Sequence, residues 1–160
     1  MSLVEEVEVL RNIPLFANIE PSKLKLLAFT SERLTFQPGQ AIMREGELGD
    51  DAYVIINGSA DVLVNTPAGP LKVASMAKNA FVGEIAMLCD VPRTATIVAS
   101  SEVVTLRISK ELFFRLIREF PQMGIEVMRV LALRLEKTTA DLRDVNAKLA
   151  EAGKKPAAAT

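Results

Sequence analysis

Apolar residues fall at helical spacing at the start of the chain, with Leu3, Val7 and Leu10 on one face and Glu5, Glu6 and Glu8 on the wet side. Pro14-Leu15-Phe16 ends that segment. A second helix is predicted from Pro21, a residue suited to a first helical turn, with Leu24, Leu27 and Ala28 on its apolar face. Over residues 31–109 the period changes. Turn signals recur at Pro38-Gly39, Glu45-Gly46, Gly49-Asp50, Asn57-Gly58 and Pro67-Ala68-Gly69-Pro70. Between and beyond them lie short runs rich in β-branched residues, at 53–56, 62–64, 71–76, 94–99 and 103–108. The last alternates, with Val104, Leu106 and Ile108 on one face and Thr105 and Arg107 on the other. Short strands at nearly regular spacing predict a mainly β fold, a sandwich or barrel and in particular a jelly roll. A parallel α/β sheet would need helices in gaps too short to hold them.

Beyond Ser109 the helical period returns, over 110–119 and then, after Phe120-Pro121, from 121 to about 152. In the longer piece Met128, Leu131, Leu135, Thr138, Leu142, Val145 and Leu149 alternate spacings of three and four, the a/d seam of a coiled coil. A helix packed only on its own domain needs a wider stripe, and Ala132 is the one clear widening. The seam therefore predicts a homo-oligomer or a helix partner through Met128, Leu131, Leu135, Leu142, Val145 and Leu149. Leu alternating with Thr or Val is not the usual dimer pattern, so copy number stays open. The chain divides into a domain over 1–120, a long helix over 121–152, and a tail over 153–160 that reads as disordered and too short for a DNA-reading module.

Composition narrows the function. A length of 160 residues suits one domain with a core built without disulfides. With 49% hydrophobic and 24% charged residues, the chain reads as globular rather than disordered. A net charge of −1 does not point to nucleic acid or an anionic membrane. The acidic start lacks the features of a signal peptide, and no apolar run reaches about 18 residues, so no membrane span is expected. The single Cys89 suits a reducing compartment and reads as a small loop or core residue, which together predict a cytoplasmic protein. The chain has no histidine, which removes the commonest metal ligand and the usual acid/base group near neutral pH. No catalytic residue and no metal or other cofactor is expected, and an enzyme is disfavoured.

The remaining chemistry concentrates in FVGEIAMLCDVPRTATIVA, residues 81–99. Residues 84–88 read as one helical turn inside the β region. Its first backbone N–H groups attract an anion, and Gly83 admits a ligand close to the backbone. Arg93 can grip a phosphate through two parallel hydrogen bonds, whereas an ionised Glu84 only accepts and so suits a hydroxyl. One group for phosphate and one for a hydroxyl describes a ribose phosphate. The alternative is a strand-turn-strand connection closed by a Glu84–Arg93 salt bridge.

Gly83-Glu84, then apolar residues including Ala86, then Pro92-Arg93-Thr94-Ala95-Thr96 closely resembles the phosphate-binding cassette of cyclic nucleotide-binding domains. Pro38-Gly39-Gln40, Glu45-Gly46-Glu47, Gly49-Asp50, Tyr53-Val54-Ile55 and Gly58-Ser59 extend the resemblance, which covers roughly residues 10–135. The family is that of catabolite activators and protein kinase A regulatory subunits. The resemblance implies an eight-stranded jelly roll (double-stranded β-helix) with short N-terminal helices and a long C-terminal helix. It implies a non-enzymatic sensor of cAMP, with cGMP as the alternative. Glu84 would take the ribose 2′-hydroxyl and Arg93 the cyclic phosphate, with Gly83, Ile85, Ala86, Thr94 and Ala95 lining the site. In the family a Thr at the position of Thr94 is linked with guanine, though it occurs in adenine binders and could simply fill a strand. Ligand would draw in the cassette, and the helices from Lys110 onward would repack through Phe113 or Leu116. A transcription regulator, or a channel or kinase regulatory fragment, is the alternative output. A related metal-dependent enzyme of the cupin type would need histidines. Base recognition is not legible: there is no Trp, Tyr53 lies in an early strand, and Leu131 and Leu135 are claimed by the seam.

Overall fold

The computed structural model describes residues 2–153. The expected tail at 153–160 therefore falls almost wholly outside the described residues. Helices α1 (Leu3–Arg11) and α2 (Pro21–Thr30) lead into eight strands, β1 (Glu32–Phe36), β2 (Ala41–Met43), β3 (Asp51–Asn57), β4 (Ala60–Thr66), β5 (Gly69–Met76), β6 (Phe81–Val82), β7 (Thr96–Ala99) and β8 (Val103–Ser109). Helix α3 (Glu84–Cys89) interrupts the strands between β6 and β7, and α4 (Lys110–Glu119) and α5 (Pro121–Glu151) follow β8. The strands form two antiparallel sheets, ordered β1-β8-β3-β6 and β2-β7-β4-β5, the jelly roll expected from the sequence.

Local chemistry sets the element ends. The Ser2 hydroxyl accepts from the Glu5 amide at 3.3 Å while the Glu5 carboxylate accepts from the Ser2 amide at 2.7 Å, a capping box that starts α1. Ser109 caps α4 by accepting from the Leu112 amide at 3.2 Å. Between β3 and β4 the turn runs through Gly58, whose φ of 94° is left-handed. A Cβ there would collide with the Glu102 carbonyl.

The first sheet is covered on both sides, which explains the unbroken apolar reading of β3. Ala52, Val54 and Ile56 face the helices, where they pack with Leu10, Phe16, Leu27, Phe113 and Val127. Tyr53 and Ile55 face the second sheet and pack with Ile42, Val62, Ile97 and Ala99. A strand buried on both faces loses the alternation of a half-wet one.

The same geometry covers β8 on both faces. Leu106 and Ile108 do meet the helices, with Val104 partly buried beside them, but the opposite face is not wet. Thr105 is fully buried there, its hydroxyl donating to the Leu34 carbonyl at 3.0 Å. Glu6 does need a correction. Expected on the wet side of α1, it is buried and ion-paired with Arg33 of β1, so α1 presents a carboxylate to the sheet. The strand expected over 94–99 begins only at Thr96, because Pro92 to Ala95 form the loop that delivers Arg93.

Helix α5 leaves the domain part-way. Met123, Glu126 and Val127 are buried at its start, and Val130 and Leu131 pack partly on the core. From there Leu133, Leu135, Leu142 and Val145 are exposed. Leu131 therefore serves its own domain, while Met128 at 63% and Leu135 at 68% exposure make no such contact.

Candidate functional site

Strand β6 ends at Gly83, which takes φ 87°, and α3 begins with Glu84. A side chain at Gly83 would meet Arg93 Nη1 at 2.6 Å and the Met43 methyl at 2.9 Å, so glycine is required by conformation and by contact. Asp90, also left-handed, closes α3 and turns the chain back toward β7. The returning loop is held by its backbone. The Arg93 amide donates to the Glu47 carbonyl at 2.9 Å, and the Arg93 carbonyl accepts from the Gly46 amide at 2.9 Å. The Glu45-Gly46-Glu47 turn thus clamps the residue whose side chain matters most.

The Arg93 guanidinium is buried, and three acceptors hold it. Nη1 donates to the Asp51 carbonyl at 2.9 Å and to the Gly83 carbonyl at 3.1 Å, and Nη2 makes a short ion pair with the Asp51 carboxylate. The other Asp51 oxygen accepts from Arg107 Nε, and Arg107 Nη1 reaches Glu32 at 3.0 Å. A buried ion pair broken by loss of one partner costs about 3–5 kcal/mol. An exposed pair such as Lys72–Asp61 contributes about 0–1 kcal/mol. Gly49 packs directly on the guanidinium, and any Cβ there would overlap it.

Glu84 is buried too, but its partner comes from far along the chain. Its Oε1 accepts from Arg134 Nη1 of α5 at 2.6 Å, and Arg134 itself is half-exposed. Glu84 and Arg93 are not paired with each other, so the plain loop-closing salt bridge is absent from this arrangement.

Gly83, Glu84, Ile85, Ala86, Arg93, Thr94 and Ala95, all singled out in the sequence, line one cavity of about 310 Å³. Met43, Val62, Met76 and Ile97 give it an apolar floor, and Asn79 and Arg134 also line it. An apolar cavity with a few converging polar groups is the usual form of a small-molecule site. Among the described residues no cluster of acidic or sulfur ligands could hold a metal ion. Leu131, Leu135 and Tyr53 do not line the cavity. Asp51, Arg107 and Arg134 were not singled out in the sequence. Asp51 did carry a signal, a lone carboxylate heading a strand that is otherwise apolar up to Asn57. Arg134 carried none, since its neighbours spell out the seam.

The family model described as the cyclic nucleotide-binding domain matches residues 33–120, more than half of the chain and the segment that contains this cavity's charged pair of walls. The chain belongs to the cyclic nucleotide-binding domain family. It is 28% identical over 139 residues to a CRP-like cAMP-activated global transcriptional regulator of Mycobacterium tuberculosis, covering 86% of this chain and 62% of that protein. It is 34% identical over 110 residues to a cAMP-dependent protein kinase regulatory subunit of Colletotrichum orbiculare, covering 69% of this chain and 28% of that one. Among solved structures, the N-terminal domain of a transcriptional regulator from Streptomyces coelicolor superposes with a TM-score of 0.71 at 30% identity, covering 81% of this chain and 94% of that one. The chain thus spans less than two thirds of the length of the curated relatives it matches.

In this cyclic nucleotide-binding domain burial, and beside it the charged cluster, set the ionisation of Tyr53. Burial, and then the Asp51 carboxylate, push its phenol above the ordinary value, against a smaller opposing pull from Arg107 and Arg93. Arg107 is itself held more firmly protonated, chiefly by its hydrogen bond to Asp51. The phenol is neutral when protonated, so its folded pKa lies above the unfolded one. Its contribution to stability is whole below pH 10 and is lost as pH rises through the folded value. Tyr53 is the only tyrosine and there is no tryptophan, so phenolate absorbance reports this residue alone. Its titration midpoint is expected above 10 in the native protein, moving back to 10 in denaturant.

Proposed function

We propose that this domain binds a purine 3′,5′-cyclic monophosphate, cAMP, as a non-enzymatic sensor whose binding is transmitted to α4 and α5. The observation that carries the reading is the buried Arg93 guanidinium at the wall of a cavity that also presents the Glu84 carboxylate. Asp51 divides its charge between Arg93 and Arg107, so Arg93 keeps attraction for a second anion, the cyclic phosphate. Glu84 carries more acceptor sites than one guanidinium fills, and a ribose 2′-hydroxyl can donate to it beside Arg134. The relatives named for cAMP support adenine. Thr94, which lines the same cavity, favours the second reading, cGMP.

Two contacts support transmission. Glu84–Arg134 ties α3 to α5, and Phe81, two residues before Gly83, stacks on Phe113 of α4 with ring centroids 6.4 Å apart. The exposed face of α5, with Met128, Leu135, Leu142 and Val145, supports self-association through a second copy of the helix. The wider output, a transcription regulator or a kinase or channel regulatory protein, belongs with whatever longer protein carries this domain.

Calorimetry against cAMP and cGMP is expected to give binding with cAMP the tighter ligand. Arg93→Leu should weaken it by about 2–5 kcal/mol, as for loss of one partner of a buried charge pair; unchanged affinity would sink the site. Saturating cAMP should alter hydrogen exchange over residues 110–149. Arg134→Ala should remove most of that difference in α5 while costing less than about tenfold in affinity, because the residue is half-exposed. Identical exchange with and without ligand leaves a binder with no switch. In sedimentation the chain is expected to associate, and Leu135→Glu with Val145→Glu to return it to a monomer; a monomeric parent chain removes the coiled-coil reading.

A further inference from the structure

The loop between β5 and β6 holds the one polar side-chain atom among the described residues that is buried without a hydrogen-bond partner, Asn79 Oδ1. Asn79 lines the same cavity as Glu84 and Arg93. Its backbone is firmly placed. The Asn79 amide donates to the Ile55 carbonyl at 2.9 Å, the Ile55 amide donates to the Ala80 carbonyl at 2.9 Å, and the Ala80 amide donates to the Ala77 carbonyl at 3.0 Å. Ile55 is fully buried in the middle of β3, so the backbone of the turn cannot drift; the side-chain amide is set by its own torsions, and its Oδ1 is closed off from solvent in this arrangement.

The turn needs a left-handed residue, and Asn79 supplies φ 76°. Asparagine tolerates that conformation, but glycine meets it with less strain and without burying an unpaired carbonyl. A buried acceptor with no donor is costly, so the amide calls for a donor that the protein does not provide.

The chemistry of the ligand says which donor. This step rests on the cyclic-nucleotide reading above. A 3′,5′-cyclic ribose phosphate has no hydroxyl left except the 2′ one, which that reading gives to Glu84, and its ionised phosphate only accepts. Every other strong donor on the ligand is an N–H of the base. We propose that Asn79 reads the base, its side-chain amide turning so that the unpaired Oδ1 meets the cavity and accepts from an exocyclic purine amine, and that an aminopurine is thereby selected over a purine without one. The carbonyl end of the amide suits this role, since it rejects a base that presents only ring nitrogens and carbonyl oxygens toward it.

The test uses the whole chain, cAMP, and the cyclic monophosphate of unsubstituted purine riboside, which differs from cAMP only in lacking the amine. The parent chain is expected to bind cAMP about tenfold more tightly than the analogue, the size of one good hydrogen bond. Asn79→Gly keeps the left-handed turn, so its melting temperature should hold. It should bind both nucleotides alike, with cAMP weakened about tenfold. A parent chain that does not distinguish the two, or an Asn79→Gly chain that still prefers cAMP as strongly, overturns the role of Asn79 while leaving the cyclic-nucleotide reading in place. A parent chain that binds neither overturns both.

Discussion

The Asp51–Arg93 ion pair is the constraint on which the site depends. A guanidinium buried at the edge of a β-sandwich is tolerable only where carboxylate and carbonyl oxygens surround it. Asp51 provides one of each, from the first residue of the most buried strand, and Gly83 provides another carbonyl. Around that requirement the local sequence falls into place. Gly49 and Gly83 lack side chains because the guanidinium occupies the space. The turn at Gly46 and Glu47 pairs with the Arg93 backbone on both its polar groups. Asp51 also holds Arg107 of β8, so the anchor of the cavity wall is shared with the pairing of two central strands.

The two apolar cores divide the labour. One lies between the sheets and is built almost wholly from strands. The other lies between the first sheet and the helices and takes in Phe81, Met87, Phe113, Leu116, Met123 and Val127. The cassette belongs to both, since Val82 enters the first core and Phe81 the second. A shift of α3 therefore cannot leave the helices untouched. Packed cores resist continuous deformation, so a displaced aromatic ring tends to move its neighbours to a new packing.

How much of this was legible follows from what each signal encodes. Strands β3, β4, β5, β7 and β8, the four longer helices and the cassette helix could be read because period and turn residues are local. Strands β2 and β6, of three and two residues, are too short to show a period, and β1 offers only Leu34 and Phe36 among polar residues. The polar side of α1 was misread at Glu6, and the covering of both faces of β8 was not visible, because burial depends on what lies opposite. Glu6 and Thr105 are buried by a partner strand and a second sheet that no local pattern announces. Glu84 and Arg93 could be singled out because a short motif holds both. Asp51, 42 residues from Arg93 in the chain, and Arg134, 50 from Glu84, join the site only through the fold. The unpaired side-chain oxygen of Asn79 has no sequence signal either, because an Asn in a turn reads as turn chemistry.

The two charged walls of the cavity are held with unequal firmness. Arg93 is fixed by backbone carbonyls, a buried carboxylate and a clamped loop, so it can move little. Glu84 is fixed by a half-exposed arginine on a helix that soon leaves the domain. An ion pair with one wet partner exchanges for other contacts at little cost. A ligand can bias a conformational equilibrium only through contacts that differ between the two states. The rigid end of the cavity offers none, whatever its share of the affinity. On the proposed reading, a difference in free energy that drives an output would be gained at the Glu84 end, where α3, Arg134 and the Asn79 loop line the cavity.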